Sequence, residues 1–286
     1  MATVTAEPRT LARAATRLRA SDLLYTLTIG GLATIALVIL VGPVVIVLLT
    51  SLTDGHSIKF PPSGLSLRWY RLLFDPVGSR QIHLAALNSL QVALVTMVAA
   101  TVLATLASVA IARRRGRWVR AVDTFFMSPM ILPMLAFGLA SLMYFTLMGF
   151  RTSLTLITIG HVVVVAPFVL RTTSASMSQL DPALLESSAS LGAGWLYTFR
   201  RVTLPAIAPG IAAGAFLAFV ASLDNVPISL FLAGPRSDML PIRMWGMMES
   251  TLDVRVAAVS GVLIATVLVL MLVMERVVGL TRRMRG

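Results

Sequence analysis

The sequence lacks cysteine entirely, and lysine occurs only once in its 286 residues, at Lys59. Without cysteine, the chain can form no disulfide framework, cysteine-ligated zinc site, iron–sulfur cluster or catalytic thiol. A Walker A loop requires a lysine between a glycine and a serine or threonine, whereas Lys59 lies between Ile58 and Phe60. This chain therefore does not hydrolyse ATP through such a loop.

Charged residues are also scarce, because they make up 13% of the chain while 57% of it is hydrophobic. Soluble domains carry about 25% charged and about 45–50% apolar residues. A bilayer core about 30 Å thick needs roughly 20 helical residues for each crossing. The length therefore allows about six spans with short connections. The composition predicts a multi-spanning membrane protein without a large domain outside the membrane.

Six apolar runs are long enough to be membrane-spanning helices, which predicts an all-α fold. The third run is interrupted by Pro129 and Pro133. The runs cover residues 23–49, 84–112, 122–148, 154–170, 206–223 and 256–274. The predicted domain organisation is a leader (1–22), a six-span transmembrane domain (23–277) and a basic tail (278–286).

The distribution of basic residues predicts the orientation of the chain. With six spans, both termini lie on one side, together with the segments that follow the second and fourth spans. That side carries sixteen lysine and arginine residues and the other side carries eight. Because cytoplasmic segments of membrane proteins are enriched in lysine and arginine, we predict that both termini are cytoplasmic. Orientation then accounts for most of the net charge of +12, and no nucleic-acid partner is expected.

Two segments on the predicted outer side are too apolar to be free loops. Residues 66–74 suit an interfacial amphipathic helix, with Leu67, Tyr70 and Phe74 on one face. This helix could be a lid over the first two spans or a surface for a partner. Residues 225–255 are interrupted by prolines and a glycine, and irregular backbone at membrane depth must be buried or line a cavity. We expect part of this second segment to be re-entrant or packed at a cavity mouth.

The loop between the fourth and fifth spans, residues 176–205, has the strongest local signals. Asp181 followed by Pro182 is typical of a helix N-cap and first helical position. The predicted helix ends at Gly192, which suits a left-handed C-cap. A second short helix over residues 195–202 then leads to the fifth span. The pattern predicts two short helices joined by a glycine turn.

The same loop resembles the EAA loop of ABC importer permeases. That pattern is E-A-A, three residues, G, nine residues, a hydrophobic residue, any residue and then L-P. It is matched by Glu186-Ser187-Ser188, Gly192 and Val202-Thr203-Leu204-Pro205, with both gaps preserved. The two serines replace alanines, which exchanges one small residue for another.

The resemblance extends over most of the chain, from about Leu23 to the C-terminus. Other segments similar to permeases of this superfamily are Asn88-Ser89-Leu90, the Pro129 and Pro133 pair, and Pro167-Phe168. Residues 222–225, 228–232 and 240–245, together with the WYRLLF helix, resemble the spermidine/putrescine-type branch.

The family resemblance implies a six-helix importer permease with a cytoplasmic coupling helix, located in the bacterial inner membrane. The chain would form half of the translocation pathway, bind no cofactor and catalyse no reaction itself. Its implied partners are a second, different permease subunit, two cytoplasmic ATP-binding cassette ATPases, which bind the ATP, a periplasmic or surface solute-binding protein, and membrane lipid. The residues implied to couple to the ATPase are Asp181, Leu184, Leu185, Glu186, Ser187, Ser188, Leu191, Gly192, Leu204 and Pro205.

The branch resemblance implies a small polar or cationic solute of the polyamine type. Phosphonates, betaines, thiamine-like compounds and ferric iron remain open as substrates of the same superfamily. Outside it, a secondary transporter is the main alternative, although embedded charge pairs or repeats would then be expected. The candidate pathway residues are Asp224, Asn225, Asn88 and Tyr144.

Asp224 is the strongest pathway candidate, since an ionisable group near membrane depth is often functional. It could also simply end the fifth helix or pair with Arg243. The chain has three histidines and no H-E-x-x-H sequence, so we predict neither a metal site nor a membrane-embedded metalloenzyme.

Overall fold

A computed structural model describes residues 20–112, 116–235, 237–251 and 253–278, so most of the predicted leader and tail lies outside the described residues. The described residues are predominantly helical, and a 3₁₀ turn (Ser128–Met130) and a π-helical turn (Phe199–Thr203) join some of the helices. The helices are α1 (Ala20–Ser51), α2 (Arg68–Leu73), α3 (Arg80–Ala112), α4 (Arg117–Met127), α5 (Met134–Leu147), α6 (Leu154–Ser178), α7 (Pro182–Ser190), α8 (Trp195–Thr198), α9 (Leu204–Leu223), α10 (Val226–Leu232), α11 (Leu240–Thr251) and α12 (Arg255–Val278).

Five helical segments in the described part of the chain are long and apolar enough to cross a membrane. They lie in α1, α3, α6, the continuous helix from α8 through α9, and α12. The all-α fold class is confirmed. Six spans result when α4 and α5 are counted together as one bent span.

The third predicted span, residues 122–148, is not one straight helix. A 3₁₀ turn at Ser128–Met130 and Pro133 separate α4 from α5, and the two meet at 101°. Proline has no backbone N–H to donate and therefore interrupts the helical hydrogen bonds here. Helix α5 alone has 14 residues and measures about 21 Å, less than the thickness of a hydrocarbon core.

Small buried residues allow α3, α6 and α9 to pack closely at the centre of the bundle. Ala100, Ala166 and Ala218 form part of one buried cluster there. A Cβ atom added at Gly210 of α9 would lie 2.6 Å from the Thr172 carbonyl oxygen of α6, and one at Gly214 would lie 2.8 Å from Val169 Cα. Only glycine permits this approach. The Gly-x-x-x-Gly spacing is the arrangement that brings membrane helices into backbone contact.

The short helix α2 is held against the C-terminal end of α1 and the N-terminal part of α12. Trp69 and Leu73 are buried, and Trp69 Nε1 donates a hydrogen bond to the Gly55 carbonyl oxygen at 3.1 Å. Leu67 and Phe74 are exposed, so the predicted interfacial face remains a prediction, and a different face packs against the protein. The helix begins only at Arg68, and the i, i+4 pair Trp69 and Leu73 makes the contact instead.

The second outer segment packs back into the protein, as expected for residues 225–255. Helix α10 buries Ile228 and Leu232 against α6. A Cβ added at Gly160 of α6 would lie 2.8 Å from Ile228 Cγ2, and one at Gly138 of α5 would lie 2.7 Å from the Pro227 carbonyl oxygen. Helix α10 therefore fits against two glycine positions.

Candidate coupling loop and translocation cavity

The first helix of the loop, α7, begins and ends as its sequence predicts. Asp181 Oδ1 accepts a hydrogen bond from the Ala183 N–H at 2.9 Å, and Pro182 occupies the first helical position. Leu191 is the C-terminal cap and Gly192 follows with a φ of +77°. This left-handed conformation disfavours residues that have a Cβ. The nine residues of α7 form a rigid rod about 14 Å long.

The second short helix is not a separate element but the beginning of the fifth span. Helix α8 continues through the π-helical turn Phe199–Thr203 into α9. Leu204 and Pro205 begin α9 directly after the π-helical turn. The predicted second helix over 195–202 is thus continuous with the fifth span.

A buried hydrogen bond joins the two loop helices. Ser188 Oγ of α7 and Thr198 Oγ1 of α8 are 2.8 Å apart, and both residues are buried. Ser187, by contrast, is exposed and donates only to the Ala183 carbonyl oxygen of its own helix. In the motif, both serines simply replace alanines. Their different contacts become visible only when α7 and α8 are placed side by side.

The loop presents exposed apolar side chains next to the carboxylates of Asp181 and Glu186. Leu184 and Leu191 are 49% and 87% exposed, and the aromatic side chains of Trp195 and Tyr197 are more than half exposed. Leu185 is half-buried, and Glu186 is exposed. Large apolar side chains that cluster on a polar surface typically mark a contact with another protein.

On the opposite end of the bundle, a cavity of about 890 Å³ lies between α1, α9, α11 and α12. Its walls are predominantly apolar and include Val44, Leu240 and Leu268. Two carboxylates line it, Asp224 at the end of α9 and Glu249 on α11. Both are exposed to the cavity and have no ion-pair partner among the described residues.

Trp245 lies one helical turn before Glu249 and also lines this cavity. An i, i+4 spacing puts the two side chains on the same face of α11. Glu249 is not among the pathway residues predicted from the sequence, although its i, i+4 spacing from a tryptophan was the available signal. The cavity thus combines apolar walls, an aromatic face and two negative charges.

The other predicted pathway residues have different environments. Asn225 is buried, and its Oδ1 accepts a hydrogen bond from the Ile228 N–H at 3.1 Å, capping α10. Asn88 Nδ2 donates to the Asp238 carbonyl oxygen at 2.9 Å. Tyr144 is 57% exposed on α5 and is not among the residues that line the cavity. Arg243 lies near Asp238 rather than Asp224.

A buried histidine connects the elements around the start of α10. His161 of α6 is fully buried, and its Nδ1 lies 2.8 Å from Ser222 Oγ of α9. Its Nε2 lies 3.3 Å from Ser229 Oγ of α10. The imidazole therefore joins α6, α9 and α10 by side-chain hydrogen bonds. Within the described ranges no three potential metal-ligating side chains cluster.

Comparison with known proteins identifies similar chains with this architecture. The family model described as "Binding-protein-dependent transport system inner membrane component" matches residues 100–285. The spermidine/putrescine transport system permease protein PotC of Escherichia coli (strain K12) is 28% identical over 244 residues, covering 85% of this chain and 90% of PotC. The putrescine transport system permease protein PotI of the same strain is 30% identical over 214 residues, covering 72% of this chain and 74% of PotI.

A solved structure has a similar fold. It is the crystal structure of a bacterial ABC transporter involved in the import of the acidic polysaccharide alginate. The matched chain superimposes with a TM-score of 0.64 and 15% sequence identity, over 92% of this chain and 98% of that one. At this identity the match shows a shared fold.

We predict that the Ser188–Thr198 bond orders the loop, because losing one partner leaves the other hydroxyl buried without a hydrogen bond. Ser188→Ala or Thr198→Val should each destabilise the α7–α8 pair by about 1 kcal/mol. The double variant should recover most of this loss, since both partners are then apolar. Hydrogen exchange of residues 183–193 measures the effect. Ser187→Ala is the matched control, and equal effects at positions 187 and 188 would contradict the prediction.

Proposed function

The chain belongs to the family of binding-protein-dependent transport system inner membrane components, and we propose that its loop α7–α8 docks the ATPase that drives transport. It is the permease component of an ABC importer and not the enzyme that hydrolyses ATP. The family works in general with a partner permease, an ATPase and a substrate-binding protein. For this chain we propose a different second permease, two ATPases that bind the ATP, and a separate solute-binding protein.

The exposed surface of α7 supports docking into an ATPase groove. Leu184 and Leu191 can enter apolar pockets, while the exposed Glu186 can meet polar or basic groups at the groove edge. Asp181 and Gly192 fix the two ends of the helix. Leu204 and Pro205 begin the span that the loop moves.

The loop is well placed to transmit movement, because it connects α6 directly to α9. These two helices are in backbone contact at Gly210 and Gly214, so they move together when the loop is displaced. His161 links both helices to α10. Asp224 follows directly after α9, and closure of the ATPase pair would thereby reach the cavity.

The orientation that agrees with this assignment has both termini in the cytoplasm. The loop then faces the cytoplasmic ATPases, and the cavity next to Asp224 faces the side from which solute arrives. The excess of basic residues on the terminal side supports this orientation. The chain is accordingly a multi-pass protein of the bacterial inner membrane.

We propose that the solute is a small aliphatic amine cation of the polyamine type. The observation that carries this assignment is the cavity itself, in which Asp224 and Glu249 supply negative charge and Trp245 supplies an aromatic face. Aromatic rings attract cations, and the apolar walls can contact methylene groups. The names of PotC and PotI, which refer to spermidine and putrescine, support the same assignment.

Two loop glycines provide a direct test of docking. A Cβ would meet no atom within 4 Å at either Gly192 or Gly194, and only Gly192 has a positive φ. Gly192→Val should destabilise the left-handed turn after α7 by about 1–2 kcal/mol, because a residue with a Cβ is strained in this conformation. This corresponds to about a 5- to 30-fold loss of productive docking.

The measurement is solute uptake and binding-protein-stimulated ATPase activity of the complete transporter in proteoliposomes. Gly194→Val is the matched control and should retain both activities. Normal uptake by the Gly192→Val complex, at an equal amount of protein, would contradict the assignment of this loop.

The carboxylates predict how solute charge is recognised. Asp224→Asn and Glu249→Gln should each raise the KM for putrescine uptake by about tenfold, which corresponds to about 1.4 kcal/mol. The reason is that each removes one negative charge from an apolar cavity. Asp54→Asn is the control, since Asp54 lies outside the cavity and binds Ser63. An unchanged KM in both cavity variants, or preferred uptake of an anionic solute, would contradict the proposal that the solute is a cation.

A further inference from the structure

Three arginines from distant parts of the sequence line one cleft at the outer end of the bundle. Arg80 begins α3, Arg243 lies on α11 and Arg255 begins α12. The cleft has a volume of about 380 Å³ and is also lined by Gln81 and Met247. It is separate from the cavity that contains Asp224 and Glu249.

Two of these arginines stand at positions where helix formation does not favour them. The first turn of a helix carries partial positive charge, so a cation there is destabilising. Arg80 is the first residue of α3 and Arg255 is the first residue of α12. Helix stability therefore does not explain why both positions carry a cation.

Arg255 is fully engaged with groups of the chain itself. Its Nε and Nη2 donate to Asp253 Oδ2 at 2.8 and 2.6 Å, and its Nη1 donates to the Gly78 carbonyl oxygen at 3.1 Å. Burial raises the pKa of Asp253, but hydrogen bonds and charge from Arg255 outweigh burial and lower it. Arg255 thus forms a fixed, neutralised wall of the cleft.

Arg243 and Arg80 are not neutralised in this way. Arg243 donates to Gln81 Oε1, and its Nη1 is 3.9 Å from Asp238 Oδ2. Its Nε is buried, with no hydrogen-bond acceptor among the described residues, but the side chain as a whole is 36% exposed. The Arg80 side chain is exposed and makes no hydrogen bond or ion pair with any described residue. The cleft therefore offers the Arg80 guanidinium, beside the partly exposed Arg243, to an incoming acceptor.

The chemistry of these groups selects a carboxylate. The planar guanidinium presents its N–H donors in a fork that matches two carboxylate oxygens. The same positive charge repels an amine cation, so the cleft is not a second site for the proposed solute. In the proposed orientation it faces the side from which the solute-binding protein approaches.

We propose that this arginine cleft receives an aspartate or glutamate side chain of the solute-binding protein. The inference rests on the proposed function, because it requires a binding protein on this side of the membrane. Oppositely charged groups at such a contact fix the orientation of the partner and accelerate association. The cleft would thus position the loaded binding protein over the cavity mouth.

The test measures binding of the solute-loaded binding protein to the complete transporter in nanodiscs of zwitterionic lipid, at several salt concentrations. Arg80→Glu should weaken binding by about tenfold and make it less dependent on salt. The variant should fold, since Arg80 has no internal partner and glutamate suits the first turn of a helix. Arg243→Gln should weaken binding as well.

Arg71→Glu is the matched control, because Arg71 is exposed on α2 and lies outside the cleft. A compensating change of one acidic residue to arginine on the binding protein should restore affinity for the Arg80→Glu transporter. That rescue would identify the carboxylate.

Equal affinity of the Arg80→Glu and Arg71→Glu transporters would overturn the inference while leaving the proposed function intact. An effect of Arg80→Glu that arises only in nanodiscs with anionic lipid would also overturn it, in favour of a lipid headgroup. A wild-type transporter that takes up solute without any binding protein would instead overturn the proposed function, and this inference with it.

Discussion

The backbone contact between α6 and α9 is the constraint on which the rest of the structure depends. At Gly210 and Gly214 there is no room for even a methyl group between the two helices. Because the loop that carries α7 and α8 joins these same helices, we expect a displacement of the loop to move both spans together.

Each end of this helix pair is connected to a site. At the cytoplasmic end in the proposed orientation, the Ser188–Thr198 bond holds α7 against α8, and α8 continues through the π-helical turn into α9. At the other end, His161 holds α10 to both helices, next to Asp224 and the cavity.

The sequence predicted the features that depend on short-range patterns. Hydrophobic runs indicated the spans, and Asp181, Pro182 and Gly192 indicated both ends of α7 correctly. It could not predict features that depend on tertiary contact. The 101° bend between α4 and α5, the pairing of Ser188 with Thr198, and the convergence of Arg80 with Arg243 all require the packed fold. No local pattern brings residues so distant in the sequence to one cleft.

The movement of α6 and α9 as one unit can be measured directly, because the absence of cysteine allows spin labels at introduced cysteines alone. Ala175 on α6, Ala208 on α9 and Leu272 on α12 are exposed positions for labels. In the complete transporter, the 175–208 distance should be the same with and without ATP, while the 208–272 distance shifts. A change in the 175–208 distance as large as that in the 208–272 distance would contradict the account.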